Sequence, residues 1–273
     1  MQHRKIAFIG AGNMTRSIVS GLVNNAYPAH LITASNPSIE KLTALQTDFA
    51  INVTQDNNAA ADAAEVIVLA VKPQLMESVC GKLGQDNNVS DKLFVSIAAG
   101  ITTARLQQML GGTFALVRTM PNTPSALGKG MTGLFADASV NEIDKQYATD
   151  LMSQVGKIAW VEKESMIDGV IAAAGSSPAY FFLFLEAMQK ESERQGFDKQ
   201  TARLMVQQAM LGAAEMVCHN PDLELSELRT QVTSKGGTTA KAIESFQQQN
   251  LEQIIATAMQ AAVKRAEQMA QQF

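Results

Sequence analysis

The stretch Lys5-Ile6-Ala7-Phe8-Ile9-Gly10-Ala11-Gly12-Asn13-Met14-Thr15 decides the fold of this 273-residue chain. It begins as a short apolar run with β-branched members, and apolar residues at helical spacing follow it at 17–23. A buried strand that turns through glycines into a helix is typical of a dinucleotide-binding site. The pattern predicts that Gly10 allows the tight turn, and that Gly12 lets the backbone approach a pyrophosphate at the positive end of the helix.

The third position of the G-x-G-x-x-G/A pattern is Thr15, which departs from it because its larger side chain must fit where helix and strand pack closely. A lone G-x-G is also weak, because any tight strand-to-helix turn can produce one. The position of the motif between a strand and a helix favours the nucleotide interpretation over the plain turn.

Composition and length limit the possible functions. The length suggests two domains, and a net charge of −4 without basic runs argues against a nucleic-acid partner or an anionic membrane. The sequence shows neither an apolar stretch near 18 residues nor a signal-peptide pattern, so we expect a cytoplasmic protein. His3, His30 and His219 share no metal-ligand spacing with each other or with the cysteines, so we expect no metal site.

Strand and helix patterns alternate through the first half of the chain. Strands are predicted at 31–34, 51–54, 66–71, 93–97, 114–118 and 158–161, with intervening helices that include 40–49 and 142–155. This alternation predicts an α/β domain, a Rossmann-type doubly wound sheet. Strand patterns end at the polar stretch 162–165, so we place a dinucleotide-binding domain at 1–163 and a helical domain at 164–273.

The second half is predicted to be all-α. A helix at 166–174 is interrupted at 175–178 and resumes at 179–195, and Asp198 is a predicted N-cap for a helix that ends near 218. Apolar residues occupy nearly the whole circumference of that last helix, so it must be enclosed. A second subunit is the better candidate to enclose a helix about 30 Å long. A compact monomeric bundle is the alternative.

The end of the second predicted strand bears on the choice of cofactor. Sites that prefer NAD place an acidic residue near this point, where it binds the ribose 2′-hydroxyl and repels a 2′-phosphate. Here Ser35 and Asn36 offer neutral groups instead, which favours NADPH and leaves NADH possible. The alternative, that these residues only turn the chain before the next helix, does not exclude this role.

A polar loop near the C-terminus predicts a carboxylate site. Ser234-Lys235-Gly236-Gly237-Thr238-Thr239 opens a helix and so combines hydroxyls and free backbone N–H groups with the positive end of a helix dipole. The alternative is that Thr238 or Thr239 merely caps that helix.

These features, taken together, resemble the pyrroline-5-carboxylate reductase family from end to end. The motifs that carry the resemblance are Gly10-Ala11-Gly12-Asn13-Met14, Ala70-Val71-Lys72-Pro73, Ser96-Ile97-Ala98-Ala99-Gly100, Met120-Pro121-Asn122-Thr123-Pro124, Gly175-Ser176-Ser177-Pro178-Ala179-Tyr180 and Val232-Thr233-Ser234-Lys235-Gly236-Gly237-Thr238-Thr239. The resemblance implies reduction of 1-pyrroline-5-carboxylate to proline by a nicotinamide cofactor, the last step of proline biosynthesis. It also implies an all-α C-terminal dimerisation domain, a homodimer built through those helices, and in many members a ring of dimers.

The resemblance also implies site residues. With Ser35 from the end of the second predicted strand and Asn122 from the motif at 120–124, the expected cofactor-binding positions are Gly10, Ala11, Gly12, Asn13, Met14, Thr15, Ser35, Asn36, Asn57, Ala70, Val71, Lys72, Pro73, Ile97, Ala98, Ala99 and Asn122. The expected substrate positions, in a pocket completed by the partner subunit, are Glu164, Ser234, Gly237, Thr238 and Thr239. A departure besides Thr15 is Lys235, where the family usually has proline; this changes loop rigidity and adds a cation.

Hydride transfer to an imine carbon mainly requires that donor and acceptor carbons be held about 3–3.5 Å apart. A cyclic imine is basic enough to be protonated near neutral pH, so we expect Thr239 to act by hydrogen bonding at the ring nitrogen. A β-hydroxyacid dehydrogenase is an alternative. Such enzymes share a catalytic lysine on the helix after a glycine-rich segment, but the corresponding residues 175–184 contain no lysine. A non-catalytic nucleotide-responsive protein is the other alternative.

Overall fold

A computed structural model describes residues 3–85 and 89–272 of the chain. The first part forms an eight-stranded sheet in the order β3-β2-β1-β4-β5-β6-β7-β8. Its strands are β1 (Ile6–Ile9), β2 (Ile32–Ser35), β3 (Asn52–Thr54), β4 (Val66–Leu69), β5 (Leu93–Ser96), β6 (Ala115–Met120), β7 (Gly130–Ala136) and β8 (Gly156–Trp160). Neighbouring strands are parallel except for β6 and β7, which are antiparallel.

Helices follow most of the strands and then make up the rest of the chain. They are α1 (Asn13–Asn24), α2 (Ile39–Phe49), α3 (Asn57–Asp62), α4 (Pro73–Gln85), α5 (Thr103–Leu110), α6 (Glu142–Ser153), α7 (Met166–Val170), α8 (Ser177–Arg194), α9 (Lys199–His219), α10 (Leu225–Gln231), α11 (Thr238–Gln248) and α12 (Leu251–Gln272). The predicted fold class is confirmed: a Rossmann-type α/β sheet is followed by helices alone.

The sheet has a separate apolar core on each face because successive strand residues point to opposite sides. Ile6 and Phe8 join one buried cluster with residues of α1, α2 and α6. Ala7 and Ile9 join the other cluster with residues of α3, α4 and α5. Helices therefore cover both faces, as a doubly wound sheet requires.

Strand register brings several chain turns together at one edge of the sheet. Ile9 is paired with Ser35 on one side and with Leu69 on the other, and Leu69 is paired with Ser96. Each of these residues is the last of its strand, so the loops that follow β1, β2, β4 and β5 start side by side. Ligands of open parallel sheets bind beyond this carboxyl edge, where the strand order reverses between β1 and β4.

Two details differ from the sequence-based expectations. Gly130–Ala136, which was not predicted as a strand, forms β7 and pairs with β6; its two glycines weaken the strand pattern. The expected interruption at 175–178 is a π-helical turn, Ile171–Gly175, after which α8 starts at Ser177.

The predicted N-cap is confirmed, because Asp198 accepts hydrogen bonds from the N–H groups of Gln200 and Thr201.

The chain divides into two compact units. The first contains Met1–Pro178 with Ala261–Phe273, and the second contains Ala179–Gln260. The first unit thus extends beyond residue 163 and includes the end of the chain. The boundary expected between a dinucleotide-binding domain and a helical domain after residue 163 stays a prediction.

The helices of the second unit leave many large apolar side chains exposed. On α8 these are Phe181, Phe182, Leu183, Phe184 and Met188, and on α9 they are Leu204, Met205, Leu211, Met216 and Val217. Contrary to the expectation of no apolar stretch near 18 residues, the stretch Met166–Arg194 is, within the described residues, long and apolar enough to cross a membrane by length and composition. An 18-residue window of it has a mean hydropathy of 1.4, and 11% of that window is buried.

Candidate functional site

The turn after β1 can be formed only by a glycine. Gly10 has φ +117°, and a Cβ built there would lie 2.5 Å from the carbonyl oxygen of Ala70. The Gly10 N–H donates to the carbonyl of Ser35 at 2.9 Å, so the turn is fixed between the ends of β2 and β4. This confirms the tight turn expected at this position.

The start of α1 fits an anionic group. Gly12 is the N-cap residue without a side-chain cap, and a Cβ built on it meets no atom within 4 Å. The first N–H groups of a helix have no partner within the helix, and the helix dipole favours negative charge there. The space beside Gly12 therefore suits a pyrophosphate, held by the N–H groups that start α1.

Thr15 is accommodated behind this turn. Its side chain is buried, and its hydroxyl donates to the carbonyl of Gly10 at 2.8 Å. The larger side chain therefore joins the helix to the turn in place of the close packing that a small residue gives.

Ser35 and Asn57 form a pair at the end of β2. Ser35 is fully buried, and its hydroxyl donates to Asn57 Oδ1 at 2.7 Å. Asn36, the next residue, accepts the Ser38 N–H on its own Oδ1 at 2.9 Å. The hydroxyl of Ser35 thus faces a protein partner, and its direct contact with a cofactor stays a prediction.

The other expected cofactor positions lie on the same edge of the sheet. The segments 70–73 and 97–99 follow β4 and β5 directly, and most of their residues are partly exposed. Asn122 follows β6, but its side chain is engaged elsewhere: Nδ2 donates to the carbonyl of Ala174 and Oδ1 accepts the Met131 N–H. Its side chain joins the loop after β6 to the π-helical turn, and its cofactor contact stays a prediction.

Glu164 is held by partners that the sequence did not indicate. Its carboxylate accepts from the Thr103 N–H at 2.7 Å and the Thr103 hydroxyl at 2.9 Å, and it pairs with Arg118 at 3.1 Å. Arg118 is buried and also pairs with Asp168 at 3.5 Å. Burial raises the pKa of Asp168 and nearby Glu267 raises it further, while Arg118 opposes both. Substrate contact by Glu164 stays a prediction.

The loop before α11 is a tight turn. The Gly237 N–H donates to the carbonyl of Ser234 at 3.0 Å, and Gly236 has φ +74° at the third position of the turn. A Cβ built on Gly237 would lie 2.4 Å from the Ser234 hydroxyl oxygen. The turn therefore brings that hydroxyl directly over the residue that precedes α11.

This turn presents donors to solvent. Ser234, Thr238 and Thr239 are exposed, and across residues 3–85 and 89–272 their hydroxyls have no hydrogen-bond partner. Gly237, the N-cap of α11, provides no side-chain cap. Hydroxyls and unpaired N–H groups thus share one helix start, which can bind a carboxylate.

Lys235 occupies the second position of this turn, where proline is favoured when a glycine with positive φ follows. Its N–H makes no hydrogen bond in the described part of the chain. We expect Lys235→Pro to raise the free energy of unfolding by about 0.4–1 kcal/mol, because it restricts the unfolded chain. Thermal unfolding measures the effect, with Lys235→Ala as the control for loss of charge. A lower melting temperature for Lys235→Pro would contradict this account of the turn.

The described residues contain no cluster of three or more His, Cys, Asp or Glu side chains that could hold a metal ion. A groove of the first unit is lined by Gln55, Asp56, Asn57, Asn58 and Lys82 beside α3.

Comparisons with known proteins agree along the whole chain. Residues 164–269 match the family described as pyrroline-5-carboxylate reductase dimerisation, and residues 5–100 match NADP oxidoreductase coenzyme F420-dependent. A pyrroline-5-carboxylate reductase of Vibrio alginolyticus is 60% identical over 100% of both chains.

Solved structures give the same result. A pyrroline-5-carboxylate reductase from Coxiella burnetii has a TM-score of 0.90 at 40% identity, covering 98% of this chain and 99% of that one. The pyrroline carboxylate reductase of Plasmodium falciparum, solved with NADP bound, has a TM-score of 0.89 at 28% identity, covering 99% of both chains.

Proposed function

The chain belongs to the pyrroline-5-carboxylate reductase family, and from that premise we propose how its residues reduce 1-pyrroline-5-carboxylate to L-proline with NAD(P)H. The observation that carries the activity is the full-length identity of 60% to a reductase of this name. Because of this identity we favour the reductase activity over the two alternatives, a β-hydroxyacid dehydrogenase and a non-catalytic nucleotide-responsive protein. Oxidation of NADPH with 1-pyrroline-5-carboxylate should form L-proline in equal amount, and binding without consumption would contradict the proposal.

The carboxyl edge of the sheet is the proposed cofactor site. The start of α1 beside Gly12 would hold the pyrophosphate, and the segments 70–73 and 97–99 would line the rest of the bound cofactor. The open space at Gly12 supports this assignment. When bound, the cofactor supplies the hydride; the residues of this edge hold it in place.

Asn57 is proposed to contact the adenosine ribose or its 2′-phosphate. Its Oδ1 accepts from Ser35, so its amide Nδ2 is the group left to donate to a ligand. A neutral donor favours a 2′-phosphate, whereas a carboxylate at this place would repel it. The pair Ser35 and Asn57 thus supports the preference for NADPH with NADH as a weaker substitute.

We expect Ser35→Ala to raise the KM for NADPH about fivefold, because one hydrogen bond that orients the Asn57 amide is lost. The KM for 1-pyrroline-5-carboxylate should stay unchanged. Steady-state kinetics with each cofactor measure the effect. As the control, Ser35→Ala made in the Asn57→Ala variant should leave the KM for NADPH unchanged, because the amide that the Ser35 hydroxyl orients is already absent. An unchanged KM for NADPH in Ser35→Ala would contradict the role of this pair.

The turn 234–239 is the proposed substrate site. The hydroxyls of Ser234 and Thr238 and the N–H groups at the start of α11 would bind the carboxylate, and the tight approach of Ser234 to Gly237 sets the spacing of the donors. Thr239 would hydrogen bond to the ring nitrogen and orient the protonated imine. Hydride addition to the C=N carbon then converts the iminium to the secondary amine of proline without a further acid.

The exposed apolar faces of α8 and α9 are proposed to bury against a second copy of the chain. Residues of both helices lie within the matched dimerisation segment 164–269, and a subunit interface explains the apolar stretch Met166–Arg194 without a membrane. We propose a cytoplasmic homodimer that is arranged further as a ring of dimers, in the manner of the family. Light scattering tests this, and a mass of 29.3 kDa, that of one chain, would contradict it.

A further inference from the structure

The loop between β5 and α5, residues 97–102, is held at its start by the sheet. The carbonyl of Ser96 accepts from the Thr119 hydroxyl at 3.0 Å, and the Ala98 N–H donates to the Ser96 hydroxyl oxygen at 3.3 Å. Both contacts fix the first residues of the loop, which are also the expected cofactor positions Ile97, Ala98 and Ala99.

The middle of the loop, at Gly100, packs against the last turns of α12. Gly100 has φ +74°, and a Cβ built on it would lie 2.5 Å from Met269 Cβ. Ala266, one turn earlier on α12, is 2% exposed. Only a glycine lets the helix approach the loop this closely, so the last turns of α12 limit how far the loop can move.

The end of the loop is held by Glu164. Both carboxylate oxygens are engaged by the N–H and hydroxyl of Thr103, the first residue of α5, at 2.7 and 2.9 Å. Arg118, 2% exposed, donates to the same carboxylate at 3.1 Å. A buried guanidinium depends on its carboxylate partners, so this pair keeps Glu164 directed at Thr103.

We propose that Glu164 is a positioning residue for the cofactor, which fixes the loop 97–102 at Thr103, and that it is not a ligand of the substrate. Among residues 3–85 and 89–272 the carboxylate accepts from three donors, two on Thr103 at the end of the loop and one on Arg118 of β6. The inference rests on the proposed function, because it takes 97–99 as part of the cofactor site. Glu164 therefore affects NADPH affinity before any substrate is bound.

The test compares Glu164→Gln with Thr103→Val. The first removes the charge and one acceptor, the second removes only the hydroxyl, and both side chains keep nearly the original shape. We expect each variant to raise the dissociation constant for NADPH, measured without substrate, about fivefold. The double variant should raise this constant by much less than the roughly 25-fold product of the two effects, because both groups act through one contact. The KM for 1-pyrroline-5-carboxylate should change less than about twofold in all three.

Two results would overturn the inference. One is unchanged NADPH binding with a raised KM for 1-pyrroline-5-carboxylate in Glu164→Gln alone, which would make Glu164 a substrate ligand. The other is a lower melting temperature with unchanged NADPH binding, which would leave only a structural role. The unsubstituted protein separates this test from the proposed function: if it does not consume NADPH with 1-pyrroline-5-carboxylate, the function itself is wrong.

Discussion

Gly10→Ala is expected to abolish measurable NADPH binding and to destabilise the fold. Gly10 has φ +117°, and an added Cβ would lie 2.5 Å from the Ala70 carbonyl oxygen and 2.7 Å from its carbon. These are backbone atoms of a central strand end, so the clash cannot be relieved by a side-chain rotation. Backbone strain and overpacking together should cost about 2–6 kcal/mol of unfolding free energy.

Gly12→Ala is the matched control. Its added Cβ meets no atom within 4 Å, and its φ of −87° is one that alanine adopts readily. The fold should therefore lose less than about 1 kcal/mol, the cost of alanine at an N-cap. If the space beside Gly12 holds the pyrophosphate, NADPH affinity should still fall at least about tenfold, because close approach of the backbone to the ligand is lost.

Urea unfolding and NADPH titration of both variants measure these effects. We expect Gly10→Ala to lose stability and binding together, and Gly12→Ala to lose binding alone. Full NADPH affinity in a stable Gly12→Ala protein would place the pyrophosphate elsewhere.

Thr239→Ala should lower kcat by about 10²-fold, because a hydroxyl that orients the ring nitrogen acts mainly in the transition state. Thr239 is exposed at the second position of α11, and its hydroxyl has no partner among residues 3–85 and 89–272. Its loss should therefore leave stability nearly unchanged. Steady-state kinetics with saturating NADPH measure the effect.

Two neighbouring variants complete this test. Thr239→Ser keeps the hydroxyl and should recover most of the activity. Thr238→Ala, which removes a proposed carboxylate donor, should raise the KM for 1-pyrroline-5-carboxylate and affect kcat less. An unchanged kcat/KM in Thr239→Ala would remove Thr239 from the catalytic role.

The fold could be predicted where the sequence signal is local. The run at 6–9 and the glycine turn are read from neighbouring residues, and the strand predicted at 66–71 forms as Val66–Leu69, which is fully buried. β7 was missed because Gly130 and Gly133 break its pattern, and its pairing with β6 depends on distant residues. The helical half was predicted because strand patterns end at 162–165 and because Asp198 is a recognisable N-cap.

The candidate site was predictable only in part, for the same reason. The turn at 234–237 forms within a few residues, so its hydroxyls and glycines were visible in the sequence. The partners of Glu164, by contrast, lie 61 residues away at Thr103 and 46 residues away at Arg118. No spacing rule joins residues so far apart, and the burial of Ser35 behind Asn57 is equally a product of tertiary packing.

A crystal structure of the protein with NADP⁺ and L-proline would locate both ligands. We expect the pyrophosphate at the start of α1 beside Gly12, and the proline carboxylate on the turn that begins at Ser234, with the ring nitrogen within hydrogen-bonding distance of the Thr239 hydroxyl. A proline carboxylate bound away from that turn, or a pyrophosphate away from Gly12, would contradict this expectation.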